Sequence, residues 1–346
     1  MISCWPNYNN HKGKTTRNDK TTILEFGEGF MNDHAVKVIG VRIMRRISTI
    51  LLCAAACVLF QVATAPNASA DPILGSNLST FAILGGAGVT IDGTGSVITG
   101  SVGASPTISI TGAGYSISGG TVQSGGATAA AAQNELGTAI TALEGMSTGA
   151  AAITGGVLDG LILGPGVYSA SSTMGLTGTL TLDGGGNTNA LWVFLVSSSL
   201  TTASSSVVDV INTGSGAGVY WVMEAGSATL GSGSTFAGNI LASSSITPGT
   251  TATDPCGRYL AQTGSVTLDG TDTIGISPCS GTLAGSNGLS GGGTLSLGPN
   301  GGPVITPLED SRIPEPGTFV LFGAGIACLA ARRLRFGARS AAGPGI

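Results

Sequence analysis

Charge is scarce in this chain. Only 9% of its 346 residues are charged and 5% are aromatic, with a net charge of −4. Between Asp71 and Ser311, Arg258 is the only Lys or Arg, and both histidines, His11 and His34, lie upstream. A region without a basic face does not bind nucleic acid, which requires Lys and Arg against phosphates. Without histidine it builds no His-dependent nucleophile, and two cysteines alone are too few for a zinc site. What the chain has in quantity is glycine, 58 residues, set among Ser, Thr, Ala and β-branched residues. There is no collagen period, and the aliphatic content is too high for a disordered linker.

The apolar stretches of near-spanning length sit toward the two ends. Arg42, Arg45 and Arg46 precede an apolar run from Ile50 to about Ala65, followed by Ala68-Ser69-Ala70. These are the basic region, apolar region and small-residue cleavage site of a secretory signal, so residues 44–70 are expected to be a signal peptide and Asp71 the start of the exported domain. Residues 1–43 are polar, mixed in charge and unlike the rest of the chain; they are expected to be a mis-assigned or disordered leader. At the other end, Pro314-Glu315-Pro316 is followed by an apolar run to Ala331 and by Arg332-Arg333-Leu334-Arg335. Tripeptide, apolar helix and basic cluster in that order resemble the PEP-CTERM sorting signal of Gram-negative bacteria, over residues 314–346. The resemblance implies export to the cell surface or medium, transient membrane retention through a C-terminal transmembrane helix, and an exosortase-type processing enzyme as partner. Cysteine usage agrees with export: Cys256 and Cys279 are the pair left in the exported domain, and they are expected to form one disulfide.

Residues 71–280 read as one domain of short β-branched strands punctuated by Gly, Asn, Ser and Pro, such as Trp192–Val196, Val207–Ile211 and Val219–Val222. A tripeptide Ser-apolar-Thr recurs: Ser199-Leu200-Thr201, Ser227-Ala228-Thr229, Ser245-Ile246-Thr247 and Ser265-Val266-Thr267, with Thr179-Leu180-Thr181 joining the series. An irregular period of about 20 residues suits one coil of a β-solenoid. Because residues i and i+2 share a face of a strand, Leu200, Ala228, Ile246 and Val266 are expected to point inward and the flanking Ser and Thr outward. One segment breaks the pattern. About residues 127–144 are alanine-rich, with Leu136, Ile140 and Leu143 at i, i+4 and i+7, which predicts an amphipathic helix along one side of the solenoid. Residues 281–313, rich in Gly, Ser and Pro, read as a flexible spacer.

Several separated motifs carry a family resemblance: Leu78-Ser79-Thr80-Phe81-Ala82-Ile83-Leu84-Gly85-Gly86, Leu163-Gly164-Pro165-Gly166-Val167-Tyr168, Leu176-Thr177-Gly178-Thr179-Leu180-Thr181-Leu182-Asp183 and Val266-Thr267-Leu268-Asp269. They resemble the ice-binding-protein-like domain of microbes and fungi over about residues 75–275. The resemblance implies a mostly β fold, an irregular right-handed β-solenoid of triangular section with one long helix packed alongside. It also implies an antifreeze surface that binds ice through a flat face. Thr202-Ala203-Ser204-Ser205 is similar to the family's short Thr/Ala motif, its final Ser departing from it. The candidate ice-binding row is Ser199, Thr201, Ser227, Thr229, Ser245, Thr247, Ser265 and Thr267, bordered by Thr202, Ala203 and Ser205. A ladder of methyl and hydroxyl groups suits ice and ordered water, and stiff Thr side chains lose little freedom on docking.

Two other readings compete. Right-handed β-helices include glycan-active enzymes, and Asp269 with Asp272, and Asp254 nearby, would be the carboxylate pair. Asp183-Gly184 and Asp269-Gly270 are also ordinary turn dipeptides, and no Ser lies in a G-x-S-x-G setting followed by His. The chain is therefore read as a non-enzyme without cofactor or metal. The alternative from another class is a structural or adhesive protein of a biofilm matrix, with exopolysaccharide as partner.

Overall fold

The computed structural model of the protein describes residues 71–309. The expected leader, signal peptide and sorting segment with Pro314, Glu315, Pro316 and its apolar helix lie outside the described residues. Among the described residues no helix is long and apolar enough to cross a membrane.

The chain winds through three parallel sheets that share one core, a β-solenoid with a single α-helix among the described residues. The first sheet has nine strands, in spatial order Val122–Ser124, Ser101–Ala104, Phe81–Gly85, Gly257–Ala261, Gly238–Ala242, Gly218–Met223, Leu191–Val196, Gly166–Ala170 and Ala151–Ala152. The second has seven: Met174–Leu176, Leu200–Thr202, Ala228–Leu230, Ile246–Pro248, Ser265–Asp269, Gly88–Asp92 and Ile110–Gly112. The third is split into groups of three and four strands, joined only by single bridges of Thr235 to Val207 and to Thr253.

Chain order and stacking order differ. The N-terminal coils do not begin the stack; Phe81–Gly85 pairs with Gly257–Ala261, so the first coils lie on the last one. The helix Gly126–Glu144 makes this possible, carrying the chain from Val122–Ser124 at one end to Ala151–Ala152 at the other. Its 19 residues at ~1.5 Å rise span about 28 Å, most of the length of nine strands ~4.8 Å apart. It buries Ala129, Ala132, Leu136, Ala139, Ile140, Ala142 and Leu143, which includes the predicted stripe. Against them lie outward residues of the nine-stranded sheet: Phe81, Leu84, Leu195, Val222, Leu241 and Leu260. Glu135 fastens the N-terminal turn to the helix, its Oε2 accepting the N–H groups of Asn77 (3.0 Å) and Leu78 (2.7 Å).

Inside the coils three of the aromatics share a column. Tyr168, Phe194 and Trp221 are register partners on successive strands, and Phe194 stacks on Trp221 with ring centroids 3.9 Å apart. Cys256 and Cys279 form the expected disulfide. Glycine is required at corners where backbones touch: a Cβ on Gly231 would lie 2.2 Å from the carbonyl carbon of Ala203.

Two expectations need correction. Residues 281–313 are not a bare spacer, because Gly293–Leu297 and Pro303–Pro307 form an antiparallel hairpin that also pairs with Asp71–Pro72. Ile305 is buried and Leu295 half-buried against the helix-side core. The buried Arg258 donates through Nη1 to the carbonyls of Asn287 and Gly288 (both 3.0 Å), and Tyr220 Oη donates to that of Ser290, so internal donors hold the approach to the hairpin. Second, Thr181 does not belong to the Ser-apolar-Thr series: Thr179–Asp183 lies in the third sheet, where Thr181 pairs with Asp209. The rung next to Leu200–Thr202 is Met174–Leu176, with Gly175 at the threonine position.

Candidate functional site

The seven-stranded sheet brings the predicted threonines into one column. Thr201 pairs with Thr229, and Thr229 with Thr247. Ile246 pairs with Val266, which sets Thr247 beside Thr267. Their neighbours Leu200, Ala228, Ile246 and Val266 are wholly buried, as the period-2 reading requires. The column then runs on through residues that sequence order concealed: Thr267 pairs with Thr90, and Thr90 with Thr111. Six threonines thus stand on six consecutive strands, about 4.8 Å apart. Ser109-Ile110-Thr111 is itself a Ser-apolar-Thr tripeptide and could have been found from sequence; Gly88-Val89-Thr90 is the same tripeptide with Gly for Ser. Thr201, Thr229, Thr247 and Thr111 are exposed, and Thr267 and Thr90 half-exposed. The one hydrogen bond within the row, among the described residues, is Thr111 Oγ1 to Thr90 Oγ1 at 3.4 Å.

The serines stand beside this column and bond to the backbone of the next coil. Ser199 Oγ accepts the backbone N–H of Ser227 (3.4 Å), Ser227 Oγ that of Ser245 (3.3 Å), and Ser245 Oγ that of Ser265 (3.3 Å). All four serines are half-buried, so they staple the corner between two sheets. At the border, Ser205 is exposed with φ 61°, and Ala203 is half-buried at the turn. Thr202 turns inward: it is 4% exposed, in the column of Leu176 and Leu230, and its Oγ1 accepts the N–H of Gly231 at 3.0 Å. Three-residue strands leave room for one outward column, and Thr201 occupies it.

The third sheet carries a rival column, Thr179, Val207, Thr235, Thr253, Thr273, Val97 and Ser116. Valine interrupts it twice and the sheet is broken at Thr235; Asp209 stands in its adjoining column, as Asp269 and Asp92 stand beside Thr267 and Thr90 on the seven-stranded sheet. A groove there is lined by Asp209, Phe236 and Pro255 on one side and by Ser280 to Leu283 on the other. This side is neither flat nor uniform.

The aspartates of the enzymatic reading are not gathered at a solvent-open site. Asp254 and Asp272 are buried in the core while Asp269 is exposed, paired in register with Asp92. Burial drives the Asp254 carboxyl well above the ordinary range, outweighing the N–H groups of Gly238 and Cys256 and the Arg258 charge. Burial likewise raises Asp272 to about 6, against the Ala252 N–H that it accepts at 3.0 Å. Among the described residues no group of three or more His, Cys, Asp or Glu is placed to hold a metal ion.

The sequence model of the family described as ice-binding-like matches residues 83–274, and that of the PEP-CTERM protein-sorting motif matches residues 312–335. An ice-binding protein of Nostoc sp. (strain HG1) is 44% identical over 226 residues, 65% of this chain and 81% of that protein. The crystal structure of an ice-binding protein from the Antarctic ascomycete Antarctomyces psychrotrophicus is 33% identical with a TM-score of 0.55, covering 61% of this chain and 100% of that one. That of an ice-binding protein from an Antarctic biological consortium is 32% identical with a TM-score of 0.55, covering 59% and 90%.

Proposed function

The chain belongs to the ice-binding-like family, and from that premise we propose that it is exported and adsorbs to ice through the column Thr201, Thr229, Thr247, Thr267, Thr90 and Thr111. The observation that carries the reading is the unbroken register of six threonines on a sheet with no strand missing. Ice carries no net charge and is surrounded by concentrated water, so strongly hydrated ions within the contact row would be a handicap; the threonine column holds none, and Asp92 and Asp269 stand one outward position to its side. A parallel sheet instead fixes methyl and hydroxyl groups at a constant spacing, on side chains with restricted χ1. Ordered water can then span the ladder before contact, and little side-chain freedom is lost on docking. The half-buried serines hold the corner straight rather than meet the ice themselves.

Export is supported by the sorting motif at residues 312–335, which also favours a stay at the cell surface, where the same face would hold cells against ice. The test is recrystallisation inhibition and ice shaping by the exported protein and by its Thr229→Tyr variant. The wild type is expected to inhibit, and the variant to lose both activities at an unchanged melting temperature. Inhibition by neither protein, with polysaccharide captured instead, would transfer the face to a matrix-adhesive role.

A further inference from the structure

Among the described residues, nothing caps one end of the solenoid. Val122–Ser124, Ile110–Gly112 and Ser116–Ser118 are the terminal strands of the three parallel sheets, so all three present unpaired backbone edges at the same end. The coil that carries them, residues 105–124, contains no Asp, Glu, Lys or Arg. Ile110, Tyr115 and Ile117 pack on the core yet stay only half-buried, whereas Ile98 on the next rung in, the register partner of Ile117, is wholly buried. Ile108 and Val122 are exposed by 66% and 49%. Soluble proteins normally blunt such edges with charge, proline or bulges. Here the only proline of the coil, Pro106, precedes all three strands.

The opposite end differs. Its coil has only two-residue strands, Ala151–Ala152 and Ile162–Leu163, with a single bridge from Val157 to Gly175 between them. The C-terminal side of the described chain also leaves there, Pro307 to Glu309 sharing a cavity wall with Pro165, Val167, Asn187 and Leu191. The uncapped end therefore faces away from the point where the sorting segment departs, and the two ends do not match each other strand for strand.

We propose that the uncapped end pairs with the same end of a second copy of this chain, about a two-fold axis perpendicular to the solenoid. Such an axis reverses strand direction, so Ile110–Gly112 of the two copies pair antiparallel, while Ser116–Ser118 of each meets Val122–Ser124 of the other. The contact is isologous and closes at a dimer. The absence of charge on the coil lets identical surfaces meet without repulsion. A coil of about 20 residues at ~3.3 Å each has backbone sides of about 22 Å, which outward side chains widen to about 34 Å; the end face is then about 500 Å² and pairing buries about 1,000 Å², the lower bound for a specific interface. The functional consequence rests on the ice-binding reading: with the axis through Thr111, two threonine columns join into one sheet with both rows on the same side. A doubled face increases the hold on ice without new chemistry.

The experiment is sedimentation of the exported protein up to about 100 µM, where a marginal interface of this size is populated, in parallel with a Ser116→Lys/Ser118→Lys/Thr121→Lys variant. The wild type is expected at twice the chain mass. The variant is expected to be monomeric, with its melting temperature unchanged and its recrystallisation inhibition several-fold weaker per chain. A monomeric wild type, a series growing beyond the dimer, or a variant that stays dimeric would each overturn the pairing. Mass is read without ice, so a monomer leaves the ice-binding reading standing. A dimer that fails to inhibit recrystallisation overturns that reading and keeps the pairing.

Discussion

The nine-stranded and seven-stranded sheets wind through the same coils, yet among the described residues one is covered and the other bare. On the covered sheet the strands are near-continuous apolar runs, Leu191–Val196 and Gly218–Met223, buried at every position. On the bare sheet Leu200–Thr202 and Ala228–Leu230 alternate buried, exposed, buried. Backbone geometry is common to both, so the outward side chain decides which sheet receives the helix. Phe81, Leu195 and Val222 would leave a large apolar patch in water, and the helix with its alanine face removes it. The threonine column creates no such patch and recruits no cover. A thin-cored solenoid can therefore dedicate one side to stability and another to a surface.

That contrast can be broken or sharpened, and the largest effect is expected on the covered side. Val222→Asp would bury a charge between sheet and helix, and the protein is expected not to fold cooperatively, as circular dichroism and thermal melting would show. A milder change, Leu143→Ala on the helix, is expected to destabilise by about 2–5 kcal/mol in denaturant titration, with the melt still cooperative.

The shared core between the sheets gives a pH-dependent effect. Asp272 is raised to about 6 and Asp254 is likewise raised well above the ordinary range by burial, so the native state holds protons that the unfolded chain releases from about pH 4. The contribution of these two groups to stability is accordingly greatest below about pH 4 and is lost as pH rises through about 6, whereas Asp159 and Asp183, held below the ordinary range by hydrogen bonds, contribute in the opposite sense. Asp272→Asn is expected to raise the melting temperature at pH 7.5 relative to wild type, with little change at pH 4; a pH-independent offset would refute the assignment. The smallest stability effect belongs to the bare sheet, where Thr229→Val is expected to stay within about 0.5 kcal/mol of wild type.

Much of this contrast was written in the sequence. Ser-apolar-Thr tripeptides announced the inward and outward positions at Leu200, Ala228, Ile246 and Val266, and the spacing of Leu136, Ile140 and Leu143 announced the helix. What sequence concealed is non-local. Thr90 lies far from Thr267 along the chain because the helix carries the chain back along the stack, and no period within the later coils indicates that the first coils stack on the last. Thr181 shares the tripeptide pattern but falls on another side of the triangle, since one strand repeat is much like another until corners are placed. The hairpin at Gly293–Pro307 was hidden by its composition; Leu295 and Ile305 suffice to dock it because Arg258 and Tyr220 already hold the preceding loop.

The central claim is that ice meets the threonine sheet and not the third sheet. It is tested most directly by measuring thermal hysteresis of two single variants side by side, Thr247→Tyr in the unbroken column and Thr235→Tyr in the interrupted one, both at exposed threonines. The expected result is that Thr247→Tyr loses hysteresis while Thr235→Tyr keeps the wild-type value, with both proteins melting as the wild type does. Hysteresis retained by Thr247→Tyr and lost by Thr235→Tyr would contradict it.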